Sequence, residues 1–230
     1  MNKSPTNAAF PFRAGIRSGF TLVEVLTVIA IIAILMGAGA IGLGNINAGK
    51  GTSSAIASCE ALFEEARTIA VSKRCKARVM VLAADPTKEK YLQRVVIIHE
   101  EIDANGAVVP DRWILASRGY DMPSGTYFSY QYSELEPGGK IPEFTLTTAK
   151  ADYAGKYYYY EFNGEGIFDK PGSSFVIGAG VRPKGQEPKT TPSAKRDFAG
   201  FVVWRNGRTS TFRSPEQITG LPKSDIPFNF

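Results

Sequence analysis

The chain has 230 residues, 27 lysines and arginines against 22 aspartates and glutamates, a single histidine and two cysteines. That length holds one ordinary domain with an extra segment beside it, and so few histidines and cysteines argue against a structural zinc site. Lys3, Arg13 and Arg17 fall in the first 18 positions, which contain no acid; without them the basic excess drops from five to two, so the overall charge is weak evidence for a nucleic-acid partner.

The N-terminal 18 residues are polar and small, with Pro5 and Pro11, and read as a leader outside the fold. From Val25 to Gly49 no residue is charged. As a helix this run of about 25 residues rises ~37 Å, enough to cross a ~30 Å hydrocarbon core. Arg13 and Arg17 before it place the N-terminus on the cytoplasmic side. The run is longer than the ~7–15 apolar residues of a signal-peptide core. Gly37, Gly39, Gly42 and Gly44 dilute its second half, and no proline interrupts it. They lower helix propensity and also let neighbouring helices approach. One acid, Glu24, sits just inside the run, where a charge costs roughly 2.5–3.5 kcal/mol on insertion scales. An ordinary anchor has no use for it.

Helical patterning resumes near Thr52. Ala55, Cys59, Leu62, Ala66 and Ile69 recur at alternating four- and three-residue spacing, with Ile56, Phe63 and Ala70 beside them. That is one apolar stripe of an amphipathic helix, with Glu60, Glu64, Glu65, Arg67 and Lys73 on the solvated faces. Cys59 and Cys75 are too far apart on a single helix, at about 24 Å, for a disulfide. A helix ending before Cys75 leaves a fold-back open, but two free thiols, with Cys59 in the core, are expected.

Beyond Cys75 the period becomes strand-like. Strands are predicted over 78–82, 91–98, 113–117, 126–132, 143–148, 157–162, 174–178, 201–204 and 209–212. Turns are predicted at Asp103–Gly106, Pro137–Gly139 and Asn163–Gly166. Asn206-Gly207 between two β-prone runs is a strong hairpin signal. Residues 182–197, rich in proline, lysine, glycine and threonine, read as a mobile loop, and the tail from Pro215 as irregular.

The junction Arg17-Ser18-Gly19-Phe20-Thr21-Leu22-Val23-Glu24 resembles the processing site of type IV prepilins and pseudopilins. The resemblance implies cleavage between Gly19 and Phe20 by a prepilin peptidase, N-methylation of Phe20, and a role in assembly for Glu24. A glycine before the cut lets the backbone approach a peptidase closely. The freed amine of a neighbouring subunit would then pair with Glu24 in the helix bundle. The segment Glu65–Arg74 and the Asn206-Gly207-Arg208 hairpin are similar to those of H-type minor pseudopilins of type II secretion and related minor pilins.

The implied fold is α+β and pilin-like: a long N-terminal helix packed on an antiparallel sheet or two sheets. The implied organisation is a cleaved leader at 1–19, a transmembrane and assembly helix at 20–49, its amphipathic half at 50–75 and a β-rich domain at 76–230. The expected function is that of a minor pilin or pseudopilin in a type II secretion pseudopilus or type IV pilus. Its partners would be the peptidase, other pilin or pseudopilin subunits and, before assembly, the bacterial inner membrane, crossed once with the globular part in the periplasm.

No catalytic constellation is legible. His99 has no matched nucleophile, Glu100-Glu101 read as a strand end entering a turn, and Asp152, Glu161 and Glu165 are scattered. No enzymatic activity, cofactor or metal is expected. A DNA-binding minor pilin is the main alternative. Arg205, Arg208 and Arg213 surround the last hairpin, and Lys184, Lys189, Lys195 and Arg196 populate the preceding loop, where they would meet phosphates. A membrane-anchored β-domain, untrimmed at Gly19, is the other.

Overall fold

A single helix, α1, runs from Leu22 to Lys73 and feeds an antiparallel β-domain. The structure, a computed structural model, describes residues 22–83, 85–148, 150–190, 197–221 and 229–230, and for 33–50 the backbone alone. The chain divides into two units, Met1–Gly42 and Leu43–Phe230.

The amphipathic stripe of α1 is the core stripe. Ala55, Cys59, Phe63, Ala66 and Ala70 are fully buried, Ile56 and Leu62 nearly so, and Ile69 packs at the margin. Helix propagation stops at Arg74, whose φ of 49° is left-handed. The Cys75 N–H donates to the Ala70 carbonyl (3.3 Å) and the Arg74 N–H to that of Val71 (3.4 Å), the two bonds of a Schellman cap. Glycine is the usual occupant of that position, because a Cβ there costs roughly 1–2 kcal/mol. Arg74→Gly is therefore expected to stabilise the domain by about 0.5 kcal/mol, the relief of strain exceeding the entropy that glycine adds to the unfolded chain. Urea unfolding measures it; a loss of stability would show that the arginine side chain outweighs the strain.

Ten strands follow: β1 (Ala77–Leu82), β2 (Arg94–Ile102), β3 (Val108–Leu115), β4 (Tyr120–Asp121), β5 (Thr126–Phe128), β6 (Glu143–Leu146), β7 (Gly155–Phe162), β8 (Ser173–Ala179), β9 (Phe198–Val203) and β10 (Thr209–Thr211). They form two antiparallel sheets, one ordered β3-β2-β1-β7-β6 with β4 also on β2, the other β10-β9-β8-β5. In β1, Ala77, Val79 and Val81 join the core beneath α1, while Met80 and Leu82 join a second apolar layer with Val96, Ile98, Leu146 and Tyr157. Both faces are covered, which is why β1 reads as an almost continuous apolar run rather than an alternating one.

Phe63 joins the helix to both sheets. Its ring meets Tyr160 and Phe162 of β7 (centroids 5.3 and 6.2 Å), Phe175 of β8 (5.5 Å), Phe201 of β9 (5.2 Å) and Phe168 between β7 and β8 (6.4 Å). The Tyr160 hydroxyl, inside this layer, donates to the Ser174 carbonyl at 2.8 Å, and burial raises its pKa well above the usual phenol value.

Cys59 and Cys75 are both free, with Cys59 in the core as expected, and Cys75 is buried too. Burial raises the pKa of each, with the Glu60 and Glu100 carboxylates respectively adding to the effect, so both thiols are poor nucleophiles.

Several sequence expectations change. The strand expected over 126–132 ends at Phe128; the Ser129 N–H still donates to Val176, after which the hydroxyls of Ser129 and Ser133 take backbone partners and turn the chain. β3 begins at Val108, ahead of the expected 113, because the Asp103–Gly106 turn returns the chain directly onto β2. It passes through Pro110 and Asp111 (φ 59°), where the register against β2 shifts between Glu100 and Glu101. Glu100 and Glu101 fall in the last three residues of β2, just before the Asp103–Gly106 turn. The segment 181–190 is also tied down: Val181 bridges Lys189, Lys189 bridges Asn229, and the Arg182 guanidinium donates to the carbonyls of Lys88 (2.9 Å) and Glu89 (2.7 Å). Residues 191–196 lie outside the described residues. The tail holds a 3-10 turn, Pro215–Gln217, and Phe230 is buried, its ring stacked on Phe198.

Candidate processing and assembly site

Gly19 and Phe20, the expected cleavage pair, lie outside the described residues. The helix begins just beyond them, and Glu24 occupies its first turn. A carboxylate is well placed there, since the unsatisfied amides and helix dipole at an N-terminus favour negative charge. The Thr27 hydroxyl donates to the Val23 carbonyl at 2.8 Å, so it presents no unpaired donor on this apolar segment.

Every side chain from Leu22 to Ile32 is exposed, and the large apolar ones expose between 45% and 77% of their surface. They point to all sides of the helix. A helix apolar all round is stable only among other apolar surfaces, lipid or protein. Among the described residues, no helix is long and apolar enough to cross a membrane. The expected span, 20–49, continues into residues 33–50, whose side chains are not described.

The two later segments of the sequence resemblance meet in space. Gly207 (φ 77°) and Gly166 (φ 74°) sit over the Arg67 side chain; a Cβ at Gly207 would come 2.4 Å from Arg67 Cδ, and one at Gly166 3.3 Å from Arg67 Cγ. Arg67 Nε is buried there without a hydrogen-bond partner, while Nη1 reaches Glu64 at 3.4 Å. Arg67, within Glu65–Arg74, thus acts through its apolar stem, as a spacer beneath two glycine turns.

Arg205, Arg208 and Arg213 are all exposed. The hairpin that carries the first two is closed by Trp204 N–H to Arg208 O (2.9 Å) and Gly207 N–H to Trp204 O (2.8 Å). Arg213 lies beyond β10, its backbone N–H held by Gln217 Oε1 (2.6 Å). Lys184 and Lys189 are exposed on the separate 181–190 loop, and Lys195 and Arg196 lie outside the described residues.

The remaining polar groups form structural pairs. Glu161, scattered in the sequence, accepts from Arg78 Nε (2.6 Å) and pairs with Lys76 Nζ (3.1 Å), and the Arg78 guanidinium lies over the rings of Trp113 (3.9 Å) and Tyr159 (4.2 Å). His99 is buried, its Nδ1 2.6 Å from the Glu100 carbonyl and its Nε2 2.9 Å from Lys73 Nζ. Donation by Nδ1 leaves Nε2 as acceptor for the ammonium, tying the end of α1 to β2. Sequence reasoning missed both arrangements. The only signal was a charged residue at the mouth of an apolar strand, and a lone histidine near the end of another. Among the described residues, no group of three or more His, Cys, Asp or Glu could hold a metal.

The prokaryotic N-terminal methylation motif matches residues 16–40. Two crystal forms of the type IV minor pilin FimU from Pseudomonas aeruginosa strain PAO1 are similar to the chain. Each is 17% identical over 76% of this chain; they are covered to 95% and 99%, with TM-scores of 0.37 and 0.34. No curated protein matches significantly.

Proposed function

We propose that this type IV pilin-like chain, which carries the N-terminal methylation motif, is a minor subunit of a type IV pilus or of a type II secretion pseudopilus. It is a structural subunit rather than an enzyme. A prepilin peptidase removes residues 1–19 by cutting between Gly19 and Phe20, and Phe20 becomes N-methylated. Residues 20–49 then hold the chain in the bacterial inner membrane, with the β-domain of 76–230 on the periplasmic side and 50–75 as the packed half of the helix. Assembly draws the apolar helix into a bundle of neighbouring subunits.

The observation that carries this reading is the methylation motif over residues 16–40, which spans the junction where the helix opens on Glu24 and an apolar surface exposed on all sides. Surface of that kind calls for lipid before assembly and for other helices after it.

Mass spectrometry of the mature N-terminus tests the proposal. The expected product begins at Phe20 and carries an N-methyl group, and Gly19→Val leaves the leader attached. An intact leader on the wild-type chain, or cleavage elsewhere, would return the protein to a simple membrane-anchored β-domain.

A further inference from the structure

The two sheets have four edges, and three are closed or blunted. β3 carries Pro110, the left-handed Asp111 and a register shift against its neighbour. β6 is four residues long and follows Pro142. On β5 the Phe128 N–H is already donated to the Leu92 carbonyl at 2.8 Å. Proline, bulges and covered amides are the devices by which sheets refuse a further strand. β10 is shorter than β6, at three residues, but among the described residues it carries no proline, bulge or covered amide.

Register shows what β10 presents. Trp204 N–H donates to Arg208 O, and Phe212 N–H donates to Gly200 O, on either side of the pairs Thr209↔Val203, Ser210↔Val202 and Thr211↔Phe201. Backbone pairing alternates along an antiparallel ladder. Arg208, Ser210 and Phe212 therefore bond inward to β9, and the N–H and C=O groups of Thr209 and Thr211 face the open edge. These are two donor–acceptor sets about 6.8 Å apart, the repeat of a strand. Arg205 and Arg208 in the turn before them and Arg213 two residues after them are exposed and without an ion pair among the described residues. Trp204 is half-exposed beside them, its indole N–H donated to Ser210 Oγ at 2.8 Å.

We infer that β10 is a docking edge for an extended, acidic polypeptide segment of another protein, which adds to the second sheet as a fifth strand. The peptide class follows from the backbone groups. A polypeptide strand offers alternating N–H and C=O groups to match Thr209 and Thr211, whereas a nucleic-acid backbone offers acceptors alone and leaves both threonine carbonyls facing like charge. The acidic character follows from the three arginines. This inference does not rest on the N-terminal processing reading.

The test uses the full-length chain in detergent micelles and the blocked peptide Glu-Val-Thr-Val-Glu. Amide hydrogen exchange at Thr209 and Thr211 is expected to slow by about tenfold or more at saturating peptide. The same peptide with alternate backbone nitrogens methylated is expected to give no slowing, and a version with lysine in place of glutamate to bind about tenfold more weakly. Thr211→Pro removes one outward N–H while sparing the bonds to β9, and is expected to abolish peptide binding. Arg208→Glu leaves the backbone intact and is expected to reverse the preference between the glutamate and lysine peptides, which keeps the test decisive if the proline variant fails to fold. Absence of slowing at millimolar peptide, equal binding of the methylated peptide, or protection by a single-stranded oligonucleotide but not by the peptide would each overturn the inference. An N-terminus processed as proposed beside an unresponsive β10 rejects the docking edge alone.

Discussion

Replacing Glu24 with alanine is expected to leave cleavage at Gly19 intact and to cut incorporation into the filament by about a hundredfold. The two halves of this result have opposite physical origins. In the proposed membrane-spanning form the carboxylate would be a liability, because a charge within a bilayer-spanning helix costs roughly 2.5–3.5 kcal/mol on insertion scales. Alanine removes that cost and improves the anchor. In the proposed filament, the carboxylate would meet the amine freed on Phe20 of a neighbouring subunit. Removing one partner of a buried pair costs about 3–5 kcal/mol, because the other charge is left unsatisfied, and each ~1.4 kcal/mol is tenfold in an equilibrium constant. The substitution thus stabilises the membrane form and destabilises the assembled one. Glu24→Gln should behave like the alanine variant although it preserves shape, since charge is the quantity at issue. Membrane content, processed mass and filament content are measured side by side. Normal filament content with Glu24→Ala would reject the pairing role.

Much of the fold was legible in the sequence, for reasons that differ between elements. The stripe from Ala55 to Ala70 is visible because a helix facing one core must repeat its apolar residues every three or four positions, and the residues named from that period are buried, apart from Ile69 at the margin. The β9–β10 hairpin is visible because its turn demands a residue that tolerates positive φ, and Gly207 at 77° supplies it. The division into two sheets was not legible. β7 and β8 are consecutive strands, yet β7 pairs with β1 and β8 with β9, a choice made by long-range register rather than local pattern. The Arg78–Glu161 pair was hidden for the same reason, its members being 83 positions apart. Residues 181–190 looked structureless because their order is imposed from outside, by Asn229 and by the carbonyls of Lys88 and Glu89. The assembly site shows the reverse case. Its residues are proposed from a short motif, and the pairing proposed for Glu24 involves a neighbouring subunit.

Phe63→Ala carries the largest expected loss of stability. The ring is fully buried and contacts five other rings drawn from β7, β8, β9 and the connection between the sheets. Truncating a buried phenylalanine costs about 3–5 kcal/mol, against a total of roughly 5–15 kcal/mol for a typical domain. The upper end applies here, because the cavity would open where the helix meets both sheets. Its walls are aromatic rings held in edge and stacked contacts with one another, such as Phe175 on Phe201 at 5.2 Å, and rings so fixed cannot collapse inward as flexible side chains would. For a domain of this size, that loss lowers the thermal midpoint by roughly 6–20 °C. Phe63→Leu, which refills much of the volume but loses the ring contacts, should fall between; each aromatic pair adds about 0.5–1.5 kcal/mol beyond burial. Thermal unfolding of the three proteins in the same detergent separates the two contributions. A loss below about 1 kcal/mol for Phe63→Ala would mean that the sheets hold together without the helix, contrary to a core built around this ring.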